Sequence, residues 1–216
     1  MDLFNSENDW AIKLEPILQK YKGKKHPLAY NNIYELMVMV ILSAQDSDAN
    51  INKIAPALFE KFSNLESIAI SNSDALLPYI SKVRNFGTKA NWILEIAKIL
   101  QKDENIPLTM GDLTALKGIG RKSANVIMRE ANVPVDGIIA DLHVIRVAPR
   151  IGLISESKDG IKVEKQLMQV IPKAIWGEIG MAISFLGREI CKPIPKCEEC
   201  AINRFCGYYR EHPNTY

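Results

Sequence analysis

Lys122 stands two residues past the second of two closely spaced glycines, in the run Leu116-Lys117-Gly118-Ile119-Gly120-Arg121-Lys122-Ser123-Ala124-Asn125. Gly118 and Gly120 permit positive φ and close approach of another molecule. The apolar spacing of Ala124, Ile127, Met128 and Ala131 predicts a helix from about Arg121. Its unpaired N–H groups and positive dipole end face back toward the turn, an arrangement that binds phosphate. Lys122 then has two readings. One is a phosphate contact or a solvated lysine at a helix end. The other is a nucleophile. A free lysine amine is mostly protonated near neutral pH, with a pKa near ~10.4. A neighbouring cation, a helix N-terminus and partial burial each favour the neutral amine. That amine attacks an electrophilic carbon and forms a Schiff base. Such chemistry calls for a carboxylate, and Asp141 follows the apolar entry Ile138-Ile139-Ala140 at an expected helix start. An N-cap is the plainer role for an aspartate there, and spacing alone does not bring positions 122 and 141 together.

A second constellation is the cysteines. All four fall in Cys191-x5-Cys197-x2-Cys200-x5-Cys206. The acidic N-terminus lacks the basic-then-apolar pattern of a signal peptide, which makes a cytosolic location the expectation. In that setting such a cluster predicts a metal or iron–sulfur site before a disulfide framework. The spacing suits zinc and a four-iron, four-sulfur (4Fe-4S) cluster equally.

Helices must position these groups, and no strand series is evident. Ser6 with Asp9 forms a capping box before a helix to about Lys22, which Pro16 is expected to kink or break. Asn31 or Asn32 caps an apolar helix, Ile33 to Ala44, suited to a core. An amphipathic helix follows from Asp48 to Phe62. Ser63 with Glu66, Ser73 with Asp74, and Thr109 with Asp112 mark further helix starts, and a long helix follows Gly87. Later helices fit Asp141–Ala148, Gly160–Val170 and Ala174–Arg188. Phe86-Gly87-Thr88-Lys89-Ala90-Asn91 echoes the glycine turn at 119–125, and two similar helix starts explain this more simply than a repeat. The lysine-rich linker and the Val133-Pro134 region suggest a central helical domain, 29–134, and a discontinuous one, 1–28 with 135–216.

Composition is that of a globular chain: 216 residues, 47% hydrophobic, 24% charged. The longest apolar run, Leu36 to Leu42, falls far short of the ~20 residues of a membrane span. A net charge of +2 means that any nucleic-acid site must come from local arrangement and not from bulk charge.

Four blocks in order then resemble the helix-hairpin-helix (HhH-GPD) DNA glycosylases, most closely the endonuclease III branch. They are Leu42-Ser43-Ala44-Gln45-Asp46-Ser47-Asp48, Leu116 to Asn125, Ala140-Asp141-Leu142-His143-Val144-Ile145-Arg146-Val147, and Gly187-Arg188 with the four cysteines. The resemblance spans about residues 27–210. It implies an all-α fold of two helical domains, a central helical barrel with the hairpin and a discontinuous iron–sulfur domain. It implies a monomeric base-excision-repair enzyme, both glycosylase and abasic-site lyase. The partner would be double-stranded DNA containing damaged (oxidised pyrimidine) or abasic nucleotides, in the bacterial or archaeal cytoplasm, at the nucleoid through that DNA. By the same resemblance Lys122 would attack C1′ of a flipped-out nucleotide, and Asp141 would stabilise the cationic sugar or move a proton. Gly118, Gly120 and Ser123 would hold a phosphate through backbone N–H groups, beside Arg121. Gln45 and Asn85 would occupy the two wedge positions, where the base has left its stack. Cys191, Cys197, Cys200 and Cys206 would bind a 4Fe-4S cluster, with Lys192 and Lys196 touching phosphate. His143 and Arg146 would support the site or the backbone contact, and Lys89 would reach phosphate through the second glycine turn. Four departures bear on substrate choice. Asn85 replaces an expected apolar residue and Thr114 an acidic one. The first cysteine gap is one residue shorter than usual, and the Lys122–Asp141 spacing one longer. Alternatives are a monofunctional or mismatch-type glycosylase, and a non-catalytic iron–sulfur DNA-binding protein.

Overall fold

A computed structural model describes residues 6–212, with side chains from Trp10 onward. Every helix and turn below belongs to those residues, among which there is no strand. In chain order the α-helices are α1 (Ser6–Tyr21), α2 (Ile33–Leu42), α3 (Asp48–Lys61), α4 (Leu65–Ala69), α5 (Ser73–Ile80), α6 (Phe86–Leu100), α7 (Met110–Ala115), α8 (Arg121–Glu130), α9 (Leu142–Ile151), α10 (Gly160–Val170), α11 (Trp176–Glu189) and α12 (Gly207–Glu211). None is long and apolar enough to cross a membrane. The chain divides into two compact units, one running His26–Val133 and the other formed by the chain up to Lys25 together with Pro134 onward.

The 26–133 unit is built on α2, of which nine of ten residues, Tyr34 through Leu42, are buried. A helix apolar all round must be wrapped by others, and α3, α6 and α8 pack against it. Burying a Leu, Ile or Met side chain contributes about 1.5–3 kcal/mol, so α2 anchors the unit. Asn32 starts it, its side-chain oxygen accepting from Glu35 N at 2.8 Å. Its C-terminal end is two residues earlier than the sequence predicts. Ser43 caps it, and the chain turns through Gln45 with φ 60°.

In the other unit α11 is the central element, buried from Ile179 to Gly187. It packs on α9 and α1. Two glycines let it come close. A Cβ on Gly180 would lie 2.7 Å from the Ile139 carbonyl oxygen, and one on Gly187 would lie 2.8 Å from His143 Cβ. Ser184, fully buried between them in sequence, donates its hydroxyl to Asp141.

Two expected starts move by one residue because an asparagine lies beside the serine. Asn64, not Ser63, caps α4 and shares a reciprocal box with Ser67. Asn72 caps α5, its side chain accepting from Ala75 N at 3.0 Å. Thr109 caps α7 as expected. Pro16 neither ends nor breaks α1. The carbonyl it deprives of a partner belongs to Ile12, which is 72% exposed and open to water. The box at Ser6 and Asp9 falls on side chains outside the described residues. The echo at 86–91 is a different construction from the turn at 119–125. Its positive φ is at Asn85, whereas the later turn has it at Gly118.

Candidate active site

The hairpin joins α7 to α8 through Leu116–Gly120. Ile119 N donates to Leu116 O at 3.2 Å, closing a tight turn around Gly118, whose φ is 84°. A Cβ there would meet the Trp92 ring at 2.6 Å, so position 118 needs glycine for both backbone and space. Gly120 differs. It is the N-cap of α8 with extended backbone, it offers no side-chain cap, and nothing lies within 4 Å of its missing Cβ. The N–H groups opening α8 thus receive no cap from residue 120, and the space beside it is open. Lys122 is exposed in that first turn while Ala124 through Met128 are buried behind it. The partial burial considered from the sequence is absent in the chain by itself.

In the same unit Gln45 and Asn85 are both exposed and both left-handed, at φ 60° and φ 56°. Thr114 is exposed, its hydroxyl turned back to the Met110 carbonyl at 2.7 Å. Lys89 corrects the expectation of a phosphate contact. It is 2% exposed, and its Nζ donates to the carbonyls of Leu42 at 2.8 Å and Ala44 at 2.6 Å. The basic side chain that sequence reading sends outward is drawn inward by unpaired carbonyls at the end of α2.

In the other unit Asp141 caps α9. Its Oδ1 accepts from His143 N and Val144 N, both at 2.9 Å. Its Oδ2 accepts from the Ser184 hydroxyl at 2.6 Å and stands 3.7 Å from the Arg188 guanidinium. Arg188 Nε also donates to Ser184 Oγ at 3.4 Å. Both carboxylate oxygens thus accept, which suits a fixed negative charge better than a proton acceptor. Arg146 turns inward: it donates to Gly187 O at 2.8 Å and Cys191 O at 3.2 Å, beside His143 Nδ1 at 3.2 Å. It caps the end of α11 and ties it to the first cysteine.

The four cysteines line one hollow with Val147, Ile151, Leu186, Ile190 and Ile202. Burial pushes the Cys200 thiol up to about 11, with backbone N–H of Ile202 opposing and the other three cysteines adding to the rise. Among the described residues no three metal-ligating side chains converge on one ion-sized point. The sulfurs stand around a space instead. Arg150, which sequence reading passed over, organises its rim. It reaches Cys191 Sγ at 3.6 Å and the carbonyls of Lys192 at 2.7 Å and Pro193 at 3.2 Å, and its guanidinium lies over Tyr208. Lys192 and Lys196 are exposed; Lys196 pairs with Glu199 at 3.2 Å, an exposed pair of little strength.

Comparison with known proteins places the chain in a family. The profile of the HhH-GPD superfamily base excision DNA repair proteins matches residues 38–173. Endonuclease III of Synechocystis sp. is 33% identical over 205 residues, 93% of each chain. A non-covalent endonuclease III–DNA complex superposes with a TM-score of 0.83 at 30% identity, covering 98% of this chain and 99% of that one. A trapped endonuclease III–DNA covalent intermediate gives 0.84 at 29% identity, covering 98% and 100%. The chain belongs to the HhH-GPD superfamily, in its endonuclease III-like branch. The superfamily match takes in the hairpin and the Asp141 segment but stops before Ser184, Arg188 and the cysteines. The endonuclease III likeness extends to those. Within the superfamily chain, Lys122 lies with Gln45, Asn85 and the glycine turn in the 26–133 unit. Asp141 lies with His143, Arg146 and the cysteines in the other.

Proposed function

We propose that this protein is a bifunctional DNA glycosylase and abasic-site lyase that removes oxidised pyrimidines from duplex DNA. The observation that carries the reading is Lys122, exposed in the first turn of α8 directly after the bare glycine turn, in a chain so similar to endonuclease III. The N–H groups after Gly120 hold a backbone phosphate and so register the duplex without reading sequence. The neutral Lys122 amine bonds to C1′ of the extruded nucleotide as the glycosidic bond breaks. The electron pair leaves with the base, which takes up a proton. Ring opening protonates O4′ and leaves an iminium ion at C1′. Loss of a C2′ proton then expels the 3′ phosphate, and water releases Lys122. Asp141, with both oxygens already accepting, serves as a fixed anion for the developing positive charge. Gln45 and Asn85 fill the space the base has left.

The thiolates of Cys191, Cys197, Cys200 and Cys206 hold a 4Fe-4S cluster. Four sulfurs lining one apolar-walled hollow, with the Arg150 guanidinium beside one of them, have the donor chemistry of an iron–sulfur ligand set. Bound to these cysteines, such a cluster would supply a covalent anchor for the loop that carries Lys192 and Lys196.

Duplexes carrying thymine glycol, uracil or an abasic site, trapped with borohydride, test the reading. A covalent adduct that disappears in Lys122→Ala supports the lyase. Base release without trapping means a monofunctional enzyme, and tight binding with neither outcome means a binding protein.

A further inference from the structure

The two turns carrying Gln45 and Asn85 are 40 residues apart in sequence, yet a single polar clasp joins them. Asp46, next to Gln45, accepts at Oδ2 from the backbone N–H of Arg84, next to Asn85, at 3.0 Å. Its other oxygen accepts from Ser47 N at 2.8 Å and Asn50 Nδ2 at 3.0 Å. Asn50 Nδ2 also reaches Lys82 O at 3.3 Å. Beneath these contacts lies Lys89. Its backbone N–H donates to Asn85 O at 3.1 Å, while its Nζ donates to Ala44 O at 2.6 Å. One residue thus holds the carbonyl of Asn85 and the carbonyl just before Gln45. Lys89 is 2% exposed and the two residues it serves are exposed.

A buried lysine is costly unless its donors are satisfied and a counter-charge is near, and here Asp46 supplies that charge. Two left-handed non-glycine residues are costly as well, and persist only where their surroundings over-determine them. All these costs fall at one place, under two exposed amide side chains, and they produce no enlarged core. They produce rigidity. Tips meant to enter a base stack must be held before the duplex arrives, since any ordering left to the encounter weakens it.

We infer that Asp46 and Lys89 are positioning residues that lock the Gln45 and Asn85 turns into one preformed wedge. This rests on the reading of those two residues given under Proposed function. The clasp acts on extrusion of a nucleotide from a duplex and leaves the lysine chemistry alone. Loss of Asp46 frees Arg84 N and removes the charge beside Lys89, so the turns stay joined through Lys89 alone, loosen, and extrusion slows.

The test compares wild type with Asp46→Ala, Asp46→Asn and Lys89→Met, each first checked by thermal melting. Three readouts are taken: base release from a duplex under single turnover, borohydride trapping on a single-stranded abasic oligonucleotide, and fluorescence of 2-aminopurine placed opposite an abasic analogue in a duplex. The expected result for Asp46→Ala is a ten- to hundredfold slower base release and a smaller fluorescence rise, with single-strand trapping within twofold of wild type. Asp46→Asn, which keeps an acceptor for Arg84 N, recovers part of the loss. Unchanged duplex rates and fluorescence in Asp46→Ala would overturn the inference, as would an equal loss on the single strand. If Lys89→Met fails to fold, the Asp46 pair alone decides. Absence of trapping in the wild type would sink the lyase reading, while the fluorescence comparison would still decide the clasp.

Discussion

At the scale of single residues the two hairpin glycines do different jobs, and substitution separates them. Gly118 is needed by the fold. Alanine there meets a left-handed backbone and a Cβ position 2.6 Å from Trp92. Gly118→Ala is expected to lower stability by on the order of 1–3 kcal/mol from backbone strain alone, with more from the overlap, read as a fall in Tm. Gly120 has extended backbone and open space around it. Gly120→Ala should melt within a degree or two of wild type yet bind duplex DNA several-fold more weakly, because a methyl group stands where a phosphate would approach. A large loss of stability in Gly120→Ala would show that its role had been misread. Asp46 gives a pH consequence. Burial opposes its ionised form, but hydrogen bonds from Arg84 N, Asn50 and Ser47 N and the charge of Lys89 outweigh that and hold it below the ordinary carboxylate range. A depressed folded-state pKa means a stabilising contribution that is complete above the unfolded value of about 3.9. It is lost as pH falls through the folded value. Asp46→Asn should therefore destabilise the protein at pH 7 and progressively less as the pH drops below 4, measured by denaturant midpoints across that range.

At the scale of elements, what the sequence revealed was local, and what it hid was brought together from afar. The bounds of α10, Gly160–Val170, follow from its own apolar spacing. Asp141 as a helix start was legible for the same reason, since a cap and its helix adjoin. Ser184 and Arg188 were not legible as its partners, because they lie more than forty residues away and meet it only through the packing of α9 on α11. Arg150 was hidden likewise: nothing near it in sequence announces carbonyls at 192 and 193. Lys89 was misread because its local pattern matches an exposed helix start, and burial of a lysine leaves no mark on periodicity. The α9–α11 contact gives its own prediction. Gly187→Ala places a Cβ 2.8 Å from His143 and 3.0 Å from Val147. Overpacking of that kind costs about 1–3 kcal/mol, and any separation of the helices also shifts Ser184 from Asp141. The variant should therefore lose excision rate beyond what its Tm predicts. Ser184→Ala, which removes the hydroxyl without adding bulk, should lose rate with a smaller change in Tm. Equal loss of rate and stability in both would mean that Ser184 only packs.

At the scale of the whole molecule the balance of charge limits how this chain can hold DNA. Twenty-seven Lys and Arg face 25 Asp and Glu, so no broad cationic field is available. The proposed contacts divide into two kinds that respond differently to salt. The N–H groups at the start of α8 bind phosphate through dipoles and carry no net charge of their own. The exposed side chains of Lys122, Lys192 and Lys196, with half-buried Arg121, bind as ions, and exposed Arg84, next to Asn85, joins them as a fifth cation. Only the second kind displaces condensed counterions fully, with a slope of about −0.9 per phosphate neutralised. Five such cations set a ceiling of about −4.5 for the slope of log affinity against log salt concentration, five times that increment. Lys196 shares its charge with Glu199 and Lys122 must give up its proton to react, so the slope should be shallower, about −3 to −4 on the same scale. Titration of duplex binding with the inactive Lys122→Gln variant between 50 and 300 mM salt, about the range over which such slopes are read, measures it. That variant lacks the Lys122 charge already discounted, so its expected slope is about −3 to −3.5. Lys192→Gln should flatten it by about one further unit if that side chain meets phosphate. A slope near −8 would require a wider basic face than the exposed side chains provide, and would move the binding surface away from the glycine turn.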